Sequence, residues 1–219
     1  MDEIVKQAMA KWPNVPHCYG WLALDARGQW RMRDERTQHL NLPGDKLHHV
    51  ALIAFIARNY GCDERGRWYF QNGPQRVYLN LEATPYVVRT DPALDWRLHT
   101  GEALGPLDEV LMTEQGELIL RSGAVLAQLD DRDGAEVLAR LAWPGHADDD
   151  DALLAWLERA GDAAGPGAGE GAGEGAGGKA GGDDDGPSLR DRGQLLPVRR
   201  VLRAALAGRY GFVPVPVPD

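Results

Sequence analysis

Aromatic and basic side chains next to hairpin-like turns form the most chemically suggestive set in this sequence. Tryptophan rings can line a pocket, and guanidinium groups can hold an acidic ligand through paired hydrogen bonds. We therefore expect a ligand site, and its residues are Trp30, Arg31, Trp68, Gln71, Asn72, Arg76 and Tyr78, with Arg33, Arg67 and Arg89 in the wider basic set. The alternative is that the tryptophans only pack in the core and on hairpin faces.

Cysteine and histidine offer a second kind of chemistry. Cys18 follows His17, and His48 is a further possible base. A thiol activated by a nearby imidazole would make a hydrolase or a transferase. This enzyme hypothesis requires Cys18 to lie within hydrogen-bond reach of a histidine. The catalytic residues, if there are any, are otherwise unknown.

Metal and cofactor sites are not indicated. His48 and His49 are adjacent, so on a helix their side chains would point about 100° apart and could not easily hold one ion. The glycine-rich stretch 165–171 is acidic and lacks the Lys-Ser/Thr ending of a phosphate-binding loop. We expect no metal and no cofactor.

Charge limits the choice of partners. The 219 residues carry a formal net charge of -9, whereas residues 188–219 hold six arginines and two aspartates. Because nucleic-acid binding needs a net basic face, no nucleic-acid partner is expected. The chain contains no apolar run of membrane-spanning length and no signal region at Met1, and its two cysteines suit a reducing compartment. We expect a cytoplasmic protein without a membrane partner, of unknown oligomeric state, whose partner is an unknown small molecule or a protein.

A segment centred on a turn is repeated in the sequence. The segment Leu22–Met32 aligns without gaps on Val110–Leu120, and Gly28 falls on Gly116. A shorter third copy is 63–68. The shared positions are apolar residues and turn residues, which indicates a repeated hairpin with a type I turn and a glycine bulge.

The hydrophobic pattern predicts an α+β fold in two related units of hairpins, helices and antiparallel strands, followed by a C-terminal helical arm. The predicted units are 1–106, with an N-terminal helix, and 107–160; a disordered Gly/Ala/acidic linker covers 161–187, and a C-terminal helix and Pro-rich tail cover 188–219. Helices are predicted at 2–11, 42–61 (N-cap Asp45), 133–141 and 148–160, and strands at 21–33, 67–70, 76–82, 86–90 and 109–129. The tail is expected to pack back on the fold, because its aromatic residues are costly to leave in water.

The stretch from His17 to Pro92 resembles an uncharacterised proteobacterial family of hypothetical proteins. The resemblance is carried by His17-Cys-Tyr-Gly-Trp-Leu-Ala-Leu-Asp25 and Arg58-Asn-Tyr-Gly-Cys-Asp-Glu-Arg-Gly-Arg-Trp68. The order of hairpin, helix, Gly-x-Trp strand, Glu82-Ala-Thr-Pro-Tyr-Val87 and second hairpin is similar to another family of unknown function. That family is built of repeated α+β motifs, and the similarity implies a role in signal transduction. Neither resemblance supplies catalytic residues.

These observations favour a non-enzymatic ligand-binding or regulatory module with a groove between its units near Trp30, Trp68 and Arg76. The enzyme based on Cys18 is one alternative. A protein–protein adaptor that acts through the C-terminal arm is another.

Overall fold

The computed structural model describes residues 1–93, 95–143, 145, 150–158 and 186–218. The predicted linker 161–187 therefore lies outside the described residues up to position 185. The helices are α1 (Glu3–Lys11), α2 (Glu35–His39), α3 (Val50–Arg58), α4 (Gly134–Leu138), α5 (Asp150–Glu158) and α6 (Arg203–Tyr210). The strands are β1 (Cys18–Leu24), β2 (Trp30–Met32), β3 (Asp45–Lys46), β4 (Tyr60–Cys62), β5 (Trp68–Asn72), β6 (Gln75–Leu81), β7 (Tyr86–Asp91), β8 (Asp95–Leu98), β9 (Glu109–Thr113), β10 (Leu118–Ser122), β11 (Val125–Leu129), β12 (Leu141–Ala142), β13 (Ser188–Asp191) and β14 (Gln194–Val201).

The strands form two mixed sheets, which confirms the predicted α+β class. One has six strands in the order β3-β2-β1-β6-β5-β4, and the other has eight in the order β12-β13-β14-β9-β10-β11-β7-β8. Most neighbouring strands are antiparallel, as predicted. Among the described strands, however, β1 with β6, β7 with β11 and β9 with β14 run parallel. These parallel pairs join strands that are distant in sequence, because a tight turn connects only antiparallel neighbours.

The two aligned segments form equivalent hairpins. In β1–β2, Leu22 pairs with Met32 and Leu24 with Trp30. In β9–β10 the aligned residues pair in the same way, Val110 with Leu120 and Met112 with Leu118. The third copy forms the hairpin β4–β5, where Cys62 pairs with Trp68.

The strand order around these hairpins also recurs. A hairpin lies beside a three-stranded meander whose last strand runs parallel to the first strand of the hairpin. The arrangement occurs as β4-β5-β6-β1-β2, as β9-β10-β11-β7-β8 and as β12-β13-β14-β9-β10. The strands β9 and β10 belong to two of these sets, so the eight-stranded sheet consists of two overlapping units.

The eight-stranded sheet is buried on both faces. On β9, Leu111 packs towards the six-stranded sheet together with Leu24 and Leu79. The neighbouring Met112 faces the other side and packs in a separate cluster that includes Trp156 of α5. Since side chains alternate along a strand, β9 contributes to both cores. The six-stranded sheet thus packs face to face on the eight-stranded sheet, and helices cover the far side.

The predicted helix at 42–61 is shorter than expected. Asp45 lies in the edge strand β3 instead of capping a helix, and the cap of α3 is His49, whose Nδ1 accepts the Leu52 amide at 3.1 Å. Gly61 lies in β4. Although α3 is apolar along its length, Ile56 is its one fully buried residue and Val50 is 78% exposed.

The C-terminal arm contains the predicted helix as α6, and the residues before it form a β-hairpin. Val198 pairs with Val110 and Val201 with Thr113, so β14 extends the eight-stranded sheet. The arm is therefore part of the fold. Whether 1–106 and 107–160 are separate folding units stays a prediction.

The proline-rich tail packs back on the six-stranded sheet along residues 212–214, as expected. Phe212 is buried, and the Val213 amide donates to the Gly66 carbonyl at 2.9 Å. The Leu81 amide donates to the Pro214 carbonyl at 2.8 Å. The tail thus follows the β4–β5 turn and the end of β6.

A buried hydrogen bond anchors the hairpin β13–β14. The Trp96 indole donates to Asp191 Oδ1 at 2.8 Å, and both side chains are buried. Replacement of Asp191 by alanine leaves the indole N–H unsatisfied, so we expect a loss of about 2 kcal/mol in the free energy of unfolding, measured by urea titration. Asp131→Ala removes a carboxylate from an exposed ion pair with Arg27 and should cost far less, because water screens that pair. Equal losses in the two variants would contradict the anchoring role.

Candidate functional site

A cleft of about 560 Å³ lies where the turns of two equivalent hairpins approach each other. One wall is the β1–β2 turn with Asp25 and Arg31, and the opposite wall is the β9–β10 turn around Gly116. The end of β11 contributes Gln128. Residues of both sheets therefore face the same space.

The β1–β2 wall is rigid because Asp25 organises its turn. Asp25 Oδ1 accepts the amides of Arg27 at 3.0 Å and Gln29 at 2.8 Å. Gly28 closes the turn with φ of +72°, a conformation that glycine adopts without strain. The second oxygen, Oδ2, accepts Arg31 Nε at 2.8 Å. The carboxylate thus fixes both the turn and the direction of the arginine.

Gln128 lies in the cleft with an unused carboxamide. Its side chain is only 6% exposed and lines the cleft. The backbone amide of Gln128 donates to Thr84 Oγ1 at 2.7 Å, but the carboxamide makes no hydrogen bond to another described residue. Because it has no hydrogen-bond partner within the described part of the fold, this carboxamide is available to a ligand in the cleft as donor and acceptor.

Charged residues close the cleft at its rim. Arg27 donates two hydrogen bonds to Asp131, at 2.8 and 2.7 Å, and joins the turn of one sheet to the segment after β11 in the other. This hydrogen-bonded pairing raises the pKa of Arg27 and lowers the pKa of Asp131. Glu117 forms an ion pair with Arg203 of α6. The lining is mixed in charge, which suits a polar ligand better than an apolar one.

A second, smaller cleft of about 370 Å³ continues on the other side of Arg31. Its walls include Arg33 and Asn41 from the loop after β2 and Asn80 from β6. Arg31, Asp25 and Glu82 line both clefts.

The predicted site residues do not come together in one place. Trp30 is buried, and its ring packs edge-on against Tyr60 at 5.4 Å and against His99 at 5.2 Å between centroids. The Trp68 ring also packs on Tyr60, with 4.9 Å between the ring centroids. Aromatic rings fill the interface near Trp30, where the groove was expected. Of the seven predicted residues, Arg31 lines the cleft described above.

The remaining predicted residues lie along β5 and β6. Gln71 is fully buried, with Nε2 donating to the Gly73 carbonyl at 2.8 Å, and Asn72 is exposed beside it. The guanidinium of Arg76 lies 4.6 Å from the centre of the Tyr69 ring. These contacts belong to the β5–β6 hairpin, and none of these residues lines either cleft.

Tyr78 belongs to a structural cluster around Asp63. Its hydroxyl donates to Asp63 Oδ2 at 3.0 Å, and its ring stacks on Tyr19 at 4.8 Å. Burial opposes ionisation of Asp63, but hydrogen bonds from the Arg67 backbone and side chain outweigh it and lower the pKa of the carboxyl to about 2. This carboxylate caps the β4–β5 turn as Asp25 caps the β1–β2 turn.

The chemistry expected of Cys18 lacks its partner. Cys18 is half-buried and makes no hydrogen bond to a histidine among the described residues, while His17 packs edge-on against Tyr78 at 5.7 Å. Within the part of the chain that the structure describes, no group of three or more His, Cys, Asp or Glu side chains is placed to hold a metal ion. No described helix is long and apolar enough to cross a membrane.

One family model matches nearly the whole chain. Residues 1–217 match the model of a family described as "Protein of unknown function (DUF2946)", which confirms the resemblance to a family of unknown function. Among curated proteins, none matches the chain.

Two solved structures of DUF1285 family proteins are similar to the chain. The protein from Silicibacter pomeroyi DSS-3 is 11% identical with a TM-score of 0.46, over 92% of this chain and 97% of that one. The protein from Shewanella baltica OS155 is 13% identical with a TM-score of 0.38, over 55% of this chain and 91% of that one.

Proposed function

The chain belongs to the family described as "Protein of unknown function (DUF2946)", and we propose that it is a non-enzymatic module that binds a small polar molecule in the cleft between the β1–β2 and β9–β10 turns. The observation that carries the proposal is Gln128, a residue only 6% exposed that lines the cleft and whose carboxamide has no hydrogen-bond partner among the described residues. Its polar atoms are reached from the cleft, so a ligand that binds there can replace water as their hydrogen-bond partner.

The walls of the cleft supply complementary groups. Arg31 is held by Asp25, and its side chain is 27% exposed. Gln115 and Glu117 face it from the other turn. A ligand would therefore meet donors and acceptors on two sides, which fixes its orientation.

The position of the cleft favours a regulatory role, in keeping with the resemblance to a family implicated in signalling. Asp25 and Arg31 belong to the six-stranded sheet, whereas Gln128 belongs to the eight-stranded sheet. A ligand that contacts both sheets binds best when they are closely packed, so its binding energy would favour that packing over a looser one.

A thermal-shift screen against metabolites and nucleotides tests the proposal. A ligand that binds only the native state raises the melting temperature, by about 5 °C at a hundredfold excess over Kd. We expect the shift to be lost in Gln128→Leu. Gln71→Leu is a matched control, because it replaces another buried glutamine on a strand, one that does not line the cleft.

The outcome separates three cases. A shift that disappears in Gln128→Leu and persists in Gln71→Leu supports the cleft. A shift that both variants keep means that the ligand binds elsewhere, and a screen without any stabilising compound counts against a small-molecule role.

A further inference from the structure

Arg33 is a buried arginine without an acidic partner. It is only 6% exposed, and its guanidinium contacts neutral oxygens: Nε donates to the Leu42 carbonyl at 3.1 Å and Nη2 to Asn41 Oδ1 at 3.4 Å. It forms no ion pair with any described residue, and no described acceptor binds its Nη1. A buried charge is costly unless it is paired, so this arrangement leaves one positive charge to be compensated.

The loop after β2 is built to hold this guanidinium in place. Asn41, which supplies one of its acceptors, has φ of +48°, a conformation that is uncommon for a residue with a side chain. Gly44 has φ of +85°, and a Cβ at this position would lie 2.7 Å from Arg33 Cγ. Gln38 Nε2 also donates to the Arg33 carbonyl at 3.0 Å. Strained or tightly packed backbone of this kind is common around binding sites.

The smaller cleft offers space for a ligand next to the Arg33 guanidinium. Arg33 lines this cleft of about 370 Å³, and Asn80 lies opposite on β6. The side chain of Asn80 makes no hydrogen bond to another described residue. Its Oδ1 is buried without a donor, and its Nδ2 is the atom that can donate to a ligand in the cleft. Ala23, a small residue on β1, leaves room between them.

The balance of charge in the cleft specifies the ligand. Asp25 already neutralises Arg31, and Glu82 stands at the exposed end with Oε2 accepting the Ala26 amide at 3.1 Å. The four charges of the lining therefore sum to zero, and Arg33 and Glu82 are the two without an ion-pair partner among the described residues. An anion beside Arg33 is favoured only if its charge stays away from Glu82. A doubly charged phosphate would bring a second charge towards Glu82, whereas a carboxylate carries one charge and matches the planar guanidinium.

We propose that the smaller cleft binds the carboxylate group of a small monocarboxylate, with Arg33 as the charged donor and Asn80 as a neutral donor. The inference stands on Arg33 and does not require the Gln128 cleft to bind anything. It accounts for a buried positive charge that the fold itself leaves unpaired.

Thermal unfolding of the full chain in sodium propionate, compared with sodium chloride at the same ionic strength, tests this proposal. We expect a saturable rise of about 5 °C at a hundredfold excess over Kd with propionate. Sodium phosphate at equal ionic strength should give less than half of that rise.

Three variants locate the effect. Arg33→Gln removes the charge, and Ala23→Phe fills the cleft while leaving the hydrogen bonds of Arg33 intact; both should abolish the propionate response. Arg36→Gln removes an exposed arginine from α2 and should keep it. If Arg33→Gln does not fold, Ala23→Phe decides the question.

Several results would overturn the inference: no saturable response in the natural chain, a response that Ala23→Phe retains, or an equal response to phosphate. Gln128→Leu should respond to propionate as the natural chain does. Failure of the proposal for the larger cleft is therefore distinguishable from failure of this one.

Discussion

Gly66→Ala is expected to reduce the free energy of unfolding by about 4 kcal/mol, the largest loss among the single substitutions considered. Gly66 closes the β4–β5 turn with φ of +76°. A Cβ built there would lie 2.0 Å from the Gly211 carbonyl oxygen and 3.2 Å from Phe212 Cα. Because these atoms belong to the backbone, the tail has to move. Displacement of Phe212 from the core would add about 2–3 kcal/mol to the strain of a positive φ.

The chain contains a matched control in the equivalent turn. Gly116 closes the β9–β10 turn with φ of +81°, but a Cβ there would meet no atom within 4 Å. Gly116→Ala should therefore cost only the strain of the backbone, about 1 kcal/mol. Urea unfolding of both variants measures the difference, which isolates the contact with the tail.

A double-mutant cycle identifies the cause of that difference. If Gly66→Ala acts by displacing the tail, its cost should shrink in a background where Phe212→Ala has already removed the buried ring. If the losses in free energy of unfolding from Gly66→Ala and Phe212→Ala simply add, Gly66→Ala damages the turn alone. Equal losses in Gly66→Ala and Gly116→Ala would show that the tail does not press on the turn.

The hairpins were predictable because their signals are local. Asp25 and Gly28 stand at the positions that a type I turn with a glycine bulge requires, and apolar residues alternate on both sides. The side chain of Asp25 accepts two amides of its own turn, and Asp63 and Thr113 do the same at the aligned positions. A few neighbouring residues contain all of this information.

The C-terminal strand was not predictable from its own segment. Leu195, Leu196, Val198 and Val201 have spacings that fit a helix face as well as a strand. The deciding contact is the parallel pairing of β14 with β9, which lies roughly eighty residues away in the chain. Asp45 was misassigned for the same reason, because its strand exists only through its pairing with Met32.

The candidate site was predictable in part. The pattern of arginine beside an aromatic turn pointed to Arg31 and, in the wider basic set, to Arg33, and both line a cleft. That either one binds a ligand stays a prediction. Gln128 was missed, because a single polar residue at the end of the apolar strand Val125–Leu129 has the pattern of an ordinary strand. Its lack of a partner is a property of the folded chain. The one signal in the sequence that could have pointed to Gln128 is a glutamine placed among apolar strand residues.

Acid is expected to destabilise the fold through His99 at a higher pH than it does through Asp63. Burial lowers the pKa of His99 to about 3, and Nδ1 accepts the Val87 amide at 3.2 Å. Although the residue is partly exposed, its Nε2 is sealed among the rings of Trp30, Tyr60 and Tyr86 and has no partner among the described residues. Protonation of Nδ1 would break the bond to Val87 and bury an unpaired charge.

The direction of the effect follows from the two pKa values. The ordinary pKa of histidine, about 6.5, applies to the unfolded chain, so the unfolded state takes up a proton first as the pH falls. The contribution of the neutral His99 ring to the free energy of unfolding is fully present above pH 6.5 and is lost as the pH falls from about 6.5 to 3. As the pH falls from 6.5 to 4.5, one histidine of this kind lowers the free energy of unfolding by about 2 kcal/mol. Asp63 also has a lowered pKa, but its contribution is lost only below about pH 3.8.

Urea unfolding at pH 7.0, 6.0, 5.0 and 4.5 measures this dependence. His99→Asn keeps an acceptor near the Val87 amide and removes the titrating ring. It should be less stable than the natural chain at pH 7.0, by about 2 kcal/mol, because its packing is lost. Between pH 6.0 and 4.5 its free energy of unfolding should fall by about 2 kcal/mol less than that of the natural chain, because the titrating ring is gone. His48→Asn replaces an exposed histidine and should leave the slope unchanged. If His99→Asn keeps the slope of the natural chain, the folded protein must accommodate the imidazolium, which would require the aromatic cluster around Tyr60 to open to water.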